Sequence, residues 1–143
     1  MSAREIDERL TSKLRERGQR VTSQRVVIHR AMAVRDQHLS AEQVHEAVSD
    51  SLPGTSLPTV YATLELFEQL GLVRRVSIGS GPVLFDSRVA PHAHSICRRC
   101  GTLVDVEEAQ VPVATMRAAG RGGFRVDHAQ VIVWGTCAAC QNA

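Results

Sequence analysis

The stretch Pro58-Thr-Val-Tyr-Ala-Thr-Leu-Glu-Leu-Phe67, closed by Gly71 and followed by Leu72 to Ile78, the turn Gly79-Ser-Gly81 and the run Val83-Leu-Phe85, decides the fold. Proline at position 58 suits a first helical turn, and Val60, Leu64 and Phe67 return at i, i+4 and i+7 to one helix face. The Val- and Ile-bearing segments around the glycine turn predict a hairpin. A helix running into a hairpin, behind other short helices, is the pattern of a winged helix-turn-helix.

Upstream, the chain supplies those helices. Arg4 to Arg17 is rich in Glu, Arg, Lys and Leu and ends at Gly18, where a helix C-terminus is expected. Thr22 or Ser23 caps a second helix, in which Val27, Ala31 and Val34 form a stripe beneath an arginine-bearing face. Ser40 precedes a third, with Gln43 where a capping box needs it. Residues 51–58 hold two prolines and a glycine and read as a turn.

Length and composition bound the function. The chain has 143 residues, 43% apolar and 22% charged, which allows one typical domain or two small ones and excludes a large multidomain enzyme. No apolar run approaches the roughly 18 residues of a membrane span. Met1 to Leu10 lacks the apolar stretch of a secretory signal, so a cytoplasmic protein is expected. The net charge of +2 is uninformative, but Lys13, Arg15, Arg17, Arg20, Arg25, Arg30 and Arg35 stand against Glu16 alone over 13–35. That excess fits either a polyanion-binding surface or a solvated helix face. Aromatics at 3% argue against stacking platforms for single strands.

The second half has a different character. After a linker-like stretch from Asp86, strand composition from Ser95 to Val106 and from Phe124 to Trp134 flanks a short helix near Val113 to Ala119. Such an α+β unit of about 50 residues needs a metal staple or a partner subunit. Trp134, Phe124 and Phe67 are expected in the cores. His29 and His45, each without a second ligand nearby, are expected to be ordinary surface or packing residues.

Cys97-Arg-Arg-Cys100 and Cys137-Ala-Ala-Cys140 supply four soft thiolates, the donor set of a tetrahedral structural zinc. Thioredoxin-like redox chemistry needs one such pair and leaves the other unexplained. His92-Ala-His94 presents two imidazoles to one face of an extended segment. Alone it could be a surface pair, but further candidates exist in Asp86 just upstream, Asp105 a short strand beyond the first cysteine pair and His38 in the turn before the third helix. Together they make a nitrogen and oxygen shell suited to ferrous or manganous ions.

The runs Arg20-Val-Thr-Ser-Gln-Arg25, His38-Leu-Ser-Ala-Glu42, Thr59-Val-Tyr61, His92-Ala-His-Ser-Ile-Cys-Arg-Arg-Cys-Gly101 and Trp134-Gly-Thr-Cys-Ala-Ala-Cys140 resemble the ferric uptake regulator family over nearly the whole chain. The resemblance implies a dimeric, metal-activated repressor and not an enzyme. Its layout would be a winged-helix DNA-binding domain over 1–85, a hinge over 86–91 and a zinc-stapled α/β dimerisation domain over 92–143. It assigns Cys97, Cys100, Cys137 and Cys140 to structural zinc, and His38, Asp86, His92, His94 and Asp105 to regulatory iron or manganese. Iron-responsive members usually carry glutamate where this chain has Asp86 and Asp105, and the peroxide-sensing branch carries aspartate, so peroxide sensing is favoured over iron sensing.

Two departures accompany the resemblance. Pro91 and Ala93 replace the side chains through which some members hold a further metal, leaving His128 without its neighbours. Ala62 stands where the recognition helix usually carries arginine. The remaining DNA contacts are Thr59 and Tyr61 toward the major groove, Arg20, which the resemblance places toward the minor groove, and Arg25 at the backbone. The expected partners are a palindromic double-stranded operator and a second copy of the chain, with no membrane and no substrate beyond metal and peroxide. A mononuclear iron enzyme built on His92, His94 and a carboxylate lacks an obvious substrate pocket. A zinc-ribbon adaptor leaves the arginine-rich helices and His38 unexplained.

Overall fold

The computed structural model describes residues 1–33, 38–90, 92–106 and 112–143. Val34, Arg35 and Pro91, which entered the sequence reading, lie outside them. The chain packs as two compact units, Met1–Val89 and Ala90–Ala143.

In the first unit, α1 (Ala3–Glu16) starts at a capping box between Ser2 and Glu5 and buries Ile6, Leu10 and Leu14 along one face. Gly18, at φ +65°, takes the left-handed conformation that ends the segment. The Thr22 hydroxyl accepts the Arg25 backbone N–H at 3.3 Å at the start of α2 (Ser23–Ala33). Ser40 and Gln43 form the expected capping box of α3 (Ala41–Val48). Ser56 caps α4 (Leu57–Gln69), whose Val60, Leu64 and Phe67 are fully buried. They meet Leu10, Leu14, Ile28, Met32 and Val44 in one core. Each such side chain contributes roughly 1.5–3 kcal/mol by leaving water.

The hairpin strands are β2 (Arg74–Val76) and β3 (Leu84–Asp86). A two-residue strand, β1 (Leu39–Ser40), joins β3 on its other side, giving an antiparallel sheet in the order β1-β3-β2. Leu39 faces Phe85 in that register, so His38 is brought opposite Asp86.

The second unit is built on β4 (Ala93–Cys97), which pairs antiparallel with β5 (Leu103–Val106) and parallel with β6 (Val131–Gly135). Between β5 and β6 the chain forms α5 (Val113–Ala119) and a short 3-10 turn, and α6 (Ala138–Gln141) follows β6. The strand expected from Phe124 to Trp134 therefore forms only from Val131 onward. The expectation that Phe124 and Trp134 are core residues also fails: they are 66% and 49% exposed within the chain, whereas Phe67 is fully buried. Val104 and Val133, which flank Ser95 in the sheet register, are 54% and 55% exposed. A unit this small cannot cover both faces of a three-stranded sheet, and the uncovered apolar surface is of the kind that binds another protein surface.

Candidate metal centres and nucleic-acid interface

The four cysteines meet because parallel strands end side by side. Cys97, the last residue of β4, lies opposite Gly135, the last of β6, and the Arg98 N–H donates to the Gly135 carbonyl at 2.9 Å. Beyond β4 the chain turns through Arg98 and Arg99 to Cys100. The turn closes through Gly101, at φ +75°, whose N–H donates to the Cys97 carbonyl at 2.9 Å. Beyond β6, Cys137 stands at the N-terminus of α6 and Cys140 lies within it.

One sulfur from each cysteine lies within 4.8 Å of the others, and the Cys100 and Cys137 sulfurs are 3.7 Å apart. Zinc–sulfur bonds of about 2.3 Å in a tetrahedron place sulfurs about 3.8 Å apart, so the spacing fits zinc. No cysteine is in a disulfide. Backbone N–H groups of Cys137 and Cys100 lower the Cys97 thiol to about 6, while the Cys137 and Cys100 sulfurs push Cys140 up to about 12. Sulfurs this crowded cannot all ionise without a cation among them, and a cation is what their arrangement suits. Thr102, whose hydroxyl is 3.0 Å from the Cys100 sulfur, and Arg99, which donates to the Cys140 carbonyl at 2.6 Å, support the knuckles. Sequence reading missed both, since neither residue is a metal donor by type.

A second donor set lies in the second unit. His94 pairs with Asp105 across β4 and β5, and His92, two residues earlier, points to the same face. His92 and His94 are 4% and 2% exposed, and one donor atom from each lies within 4.8 Å of the other and of Asp105. The Asp105 Oδ1 is 3.1 Å from His92 Nε2 and 3.4 Å from His94 Nε2. His92 Nδ1 lies 2.8 Å from the Ala90 carbonyl, which selects the tautomer with the proton on Nδ1 and leaves Nε2 as the donor atom toward a metal.

The first unit carries a matching pair. His38 Nε2 is 3.2 Å from Asp86 Oδ2, and both side chains are nearly buried. The other Asp86 oxygen accepts the Arg88 backbone N–H at 2.8 Å, which fixes the carboxylate plane. A buried carboxylate beside an imidazole is the kind of pair a divalent cation exploits. His128 belongs to neither cluster of possible ligands among the described residues. His45 packs with its Nε2 2.7 Å from the Thr55 carbonyl, and His29 is buried edge-on against Phe67 at 5.5 Å, so both are packing residues.

The nucleic-acid candidates all fall in the first unit. Tyr61 and Ala62 are exposed near the start of α4, and the Thr59 hydroxyl lies 2.9 Å from that of Ser56. A groove bounded by Arg20, Arg25, Thr59 and Ala62 runs beside the helix. Arg25 is drawn inward: its guanidinium donates to the Arg20 carbonyl at 2.6 Å and to Gln19 at 3.3 Å, so it shapes the loop that presents Arg20. Arg30 pairs with Asp7 of α1. Arg25 and Arg30 therefore serve the fold.

Comparison with known proteins agrees with this architecture. The model of the ferric uptake regulator family matches residues 16–134. The peroxide-responsive repressor PerR of Staphylococcus aureus (strain USA300) is 32% identical over 138 residues, covering 96% of this chain and 93% of its own. The structure of the Helicobacter pylori ferric uptake regulator superposes with a TM-score of 0.79 at 18% identity, covering 100% of this chain and 96% of that one, a likeness of fold. The ferric uptake regulator of Pseudomonas aeruginosa with manganese gives 0.67 at 27% identity, covering 90% of this chain and 98% of that one. With a family model spanning most of its length and a relative above 30% identity along nearly all of it, this chain belongs to the ferric uptake regulator family.

Proposed function

We propose that the protein is a metal-dependent, peroxide-responsive transcriptional repressor, acting in the cytoplasm as a homodimer on double-stranded DNA. The observation that carries this reading is the pair of half-sites: three converging donors in one unit and two in the other, all nitrogen and carboxylate. That donor set suits ferrous or manganous ion, while the four cysteines suit zinc. Sorting by softness keeps the two kinds of metal apart.

His38, Asp86, His92, His94 and Asp105 would hold one regulatory ion, and Cys97, Cys100, Cys137 and Cys140 the structural zinc. An ion drawing on both half-sites lowers the free energy of the arrangement in which they share it, and this differential affinity is what couples metal to DNA binding. Thr59, Tyr61 and Arg20 then meet the operator, with Arg25 holding the Arg20 loop. The exposed Val104, Val133, Phe124 and Trp134 supply the apolar surface on which a second copy docks. Two copies related by a two-fold axis require an operator of palindromic half-sites.

The peroxide reading rests on the similarity to the Staphylococcus aureus repressor and on aspartate at positions 86 and 105. Ferrous iron held by these residues would supply the reduction of hydrogen peroxide. His38 and His92 would stand among its ligands, and an imidazole that gained an oxygen would ligate poorly and release the regulatory ion. Brief peroxide treatment of the iron-loaded protein should add one oxygen to a peptide carrying His38 or His92 and abolish DNA binding. The manganese-loaded protein should stay unmodified and bound. Unmodified histidines in the iron form, with DNA binding retained, would refute peroxide sensing.

A further inference from the structure

Glu42 puts a carboxylate beside Tyr61, in the second turn of α4. It is exposed in the first turn of α3, and its Oε1 accepts the Tyr61 hydroxyl at 3.0 Å. Its own backbone N–H, Tyr61 and Ser40, in that order, hold its carboxyl below the usual range, and the Tyr61 hydroxyl is raised in turn. A negative charge on a surface that meets phosphates weakens binding to any duplex. The N-terminus of α3 favours an acidic side chain at this position, and the carboxylate also takes the hydroxyl of Tyr61 as a partner.

The anchor is rigid. Ser40 and Gln43 lock the first turn of α3 with reciprocal bonds of 2.9 and 3.2 Å, so the backbone beneath Glu42 is fixed. Tyr61, 36% exposed, would otherwise turn about two side-chain torsions. A phenol donating to a carboxylate makes a charge-assisted bond, stronger than a neutral one. On the same turn of α4 the Thr59 hydroxyl is engaged by Ser56, and Ala62 has no polar group.

We propose that Glu42 is a positioning residue for DNA recognition: by holding the Tyr61 hydroxyl back against α3 it fixes the tilt of the ring, so that the carbon edge and not the hydroxyl meets the duplex. This rests on the reading of the chain as a DNA-binding repressor.

The test is a double-mutant cycle on the zinc- and manganese-loaded protein. The probe is a duplex selected from a randomised pool by the wild type, and an unrelated duplex of equal length is the control. Glu42→Ala and Tyr61→Phe should each weaken binding to the selected duplex by about tenfold, and the double variant should be no weaker than either single one. Glu42→Gln, which keeps the acceptor and loses the charge, should stay within about threefold of wild type. Affinity for the unrelated duplex should not fall in any variant. If the hydroxyl contacts DNA directly, Tyr61→Phe will weaken binding while Glu42→Ala leaves it equal or tighter. That result, or additive losses, overturns the inference and leaves the repressor reading intact. A selection that enriches no sequence would refute the repressor reading, and this inference with it.

Discussion

Asp86 shows how a single side chain is prepared for a cation. One oxygen is tied to the Arg88 N–H and the other is turned to His38, so the carboxylate cannot rotate away from the site. His92 is prepared in the same way by the Ala90 carbonyl. Preorganised donors give up little side-chain freedom when an ion arrives, which favours tight binding. His29 illustrates the opposite case, an imidazole kept neutral by its surroundings. Burial, with the nearby Arg9 charge, lowers it to about 4 from 6.5. Between these values the unfolded chain binds more protons than the folded one, so stability is lost as pH falls through that window. Thermal or urea unfolding of His29→Leu should therefore show less acid sensitivity between pH 6.5 and 4 than the wild type. Parallel pH profiles for the two proteins would contradict this role.

Among the elements, the parallel pairing of β4 with β6 matters most to the second unit. It brings two cysteine knuckles, far apart in sequence, to one end of a sheet, where a metal ties the first and last strands together. Cys97→Ser or Cys137→Ser should release zinc and dissociate the dimer, as read by metal analysis and sedimentation. A full-strength dimer without zinc would show that the staple is dispensable. The cysteine spacing made this site legible in the sequence, because two C-x-x-C pairs are the donor set of a tetrahedral zinc. The helices of the first unit were legible too, since Ser40 with Gln43 and the stripe Val60, Leu64, Phe67 are local signals. Long-range pairing was not: a two-residue β1 has no periodicity, yet it sets His38 against Asp86. The exposure of Phe124 and Trp134 was also hidden, because apolar composition does not distinguish a core from a surface awaiting a partner.

At the scale of the whole molecule, each unit carries its own set of hard donors, His38 with Asp86 in the first and His92, His94 and Asp105 in the second. The two donor sets differ in what they can do alone. His38 with Asp86 is a two-donor site, and His92, His94 and Asp105 form a three-donor face with open positions. Neither fills the shell of an ion that prefers five or six hard donors. A single ion shared by both sets, as the proposed mechanism requires, would satisfy that preference and carry metal status to DNA. No helix among the described residues is long and apolar enough to cross a membrane, and the apolar side chains left exposed lie chiefly in the second unit. The most direct test is a manganese titration of the zinc-loaded protein, followed by electron paramagnetic resonance, for wild type, His38→Ala and His94→Ala. One tight manganese site per chain, weakened at least tenfold by either substitution, is the predicted result. Unchanged affinity in His38→Ala would contradict the shared ion and the mechanism built on it.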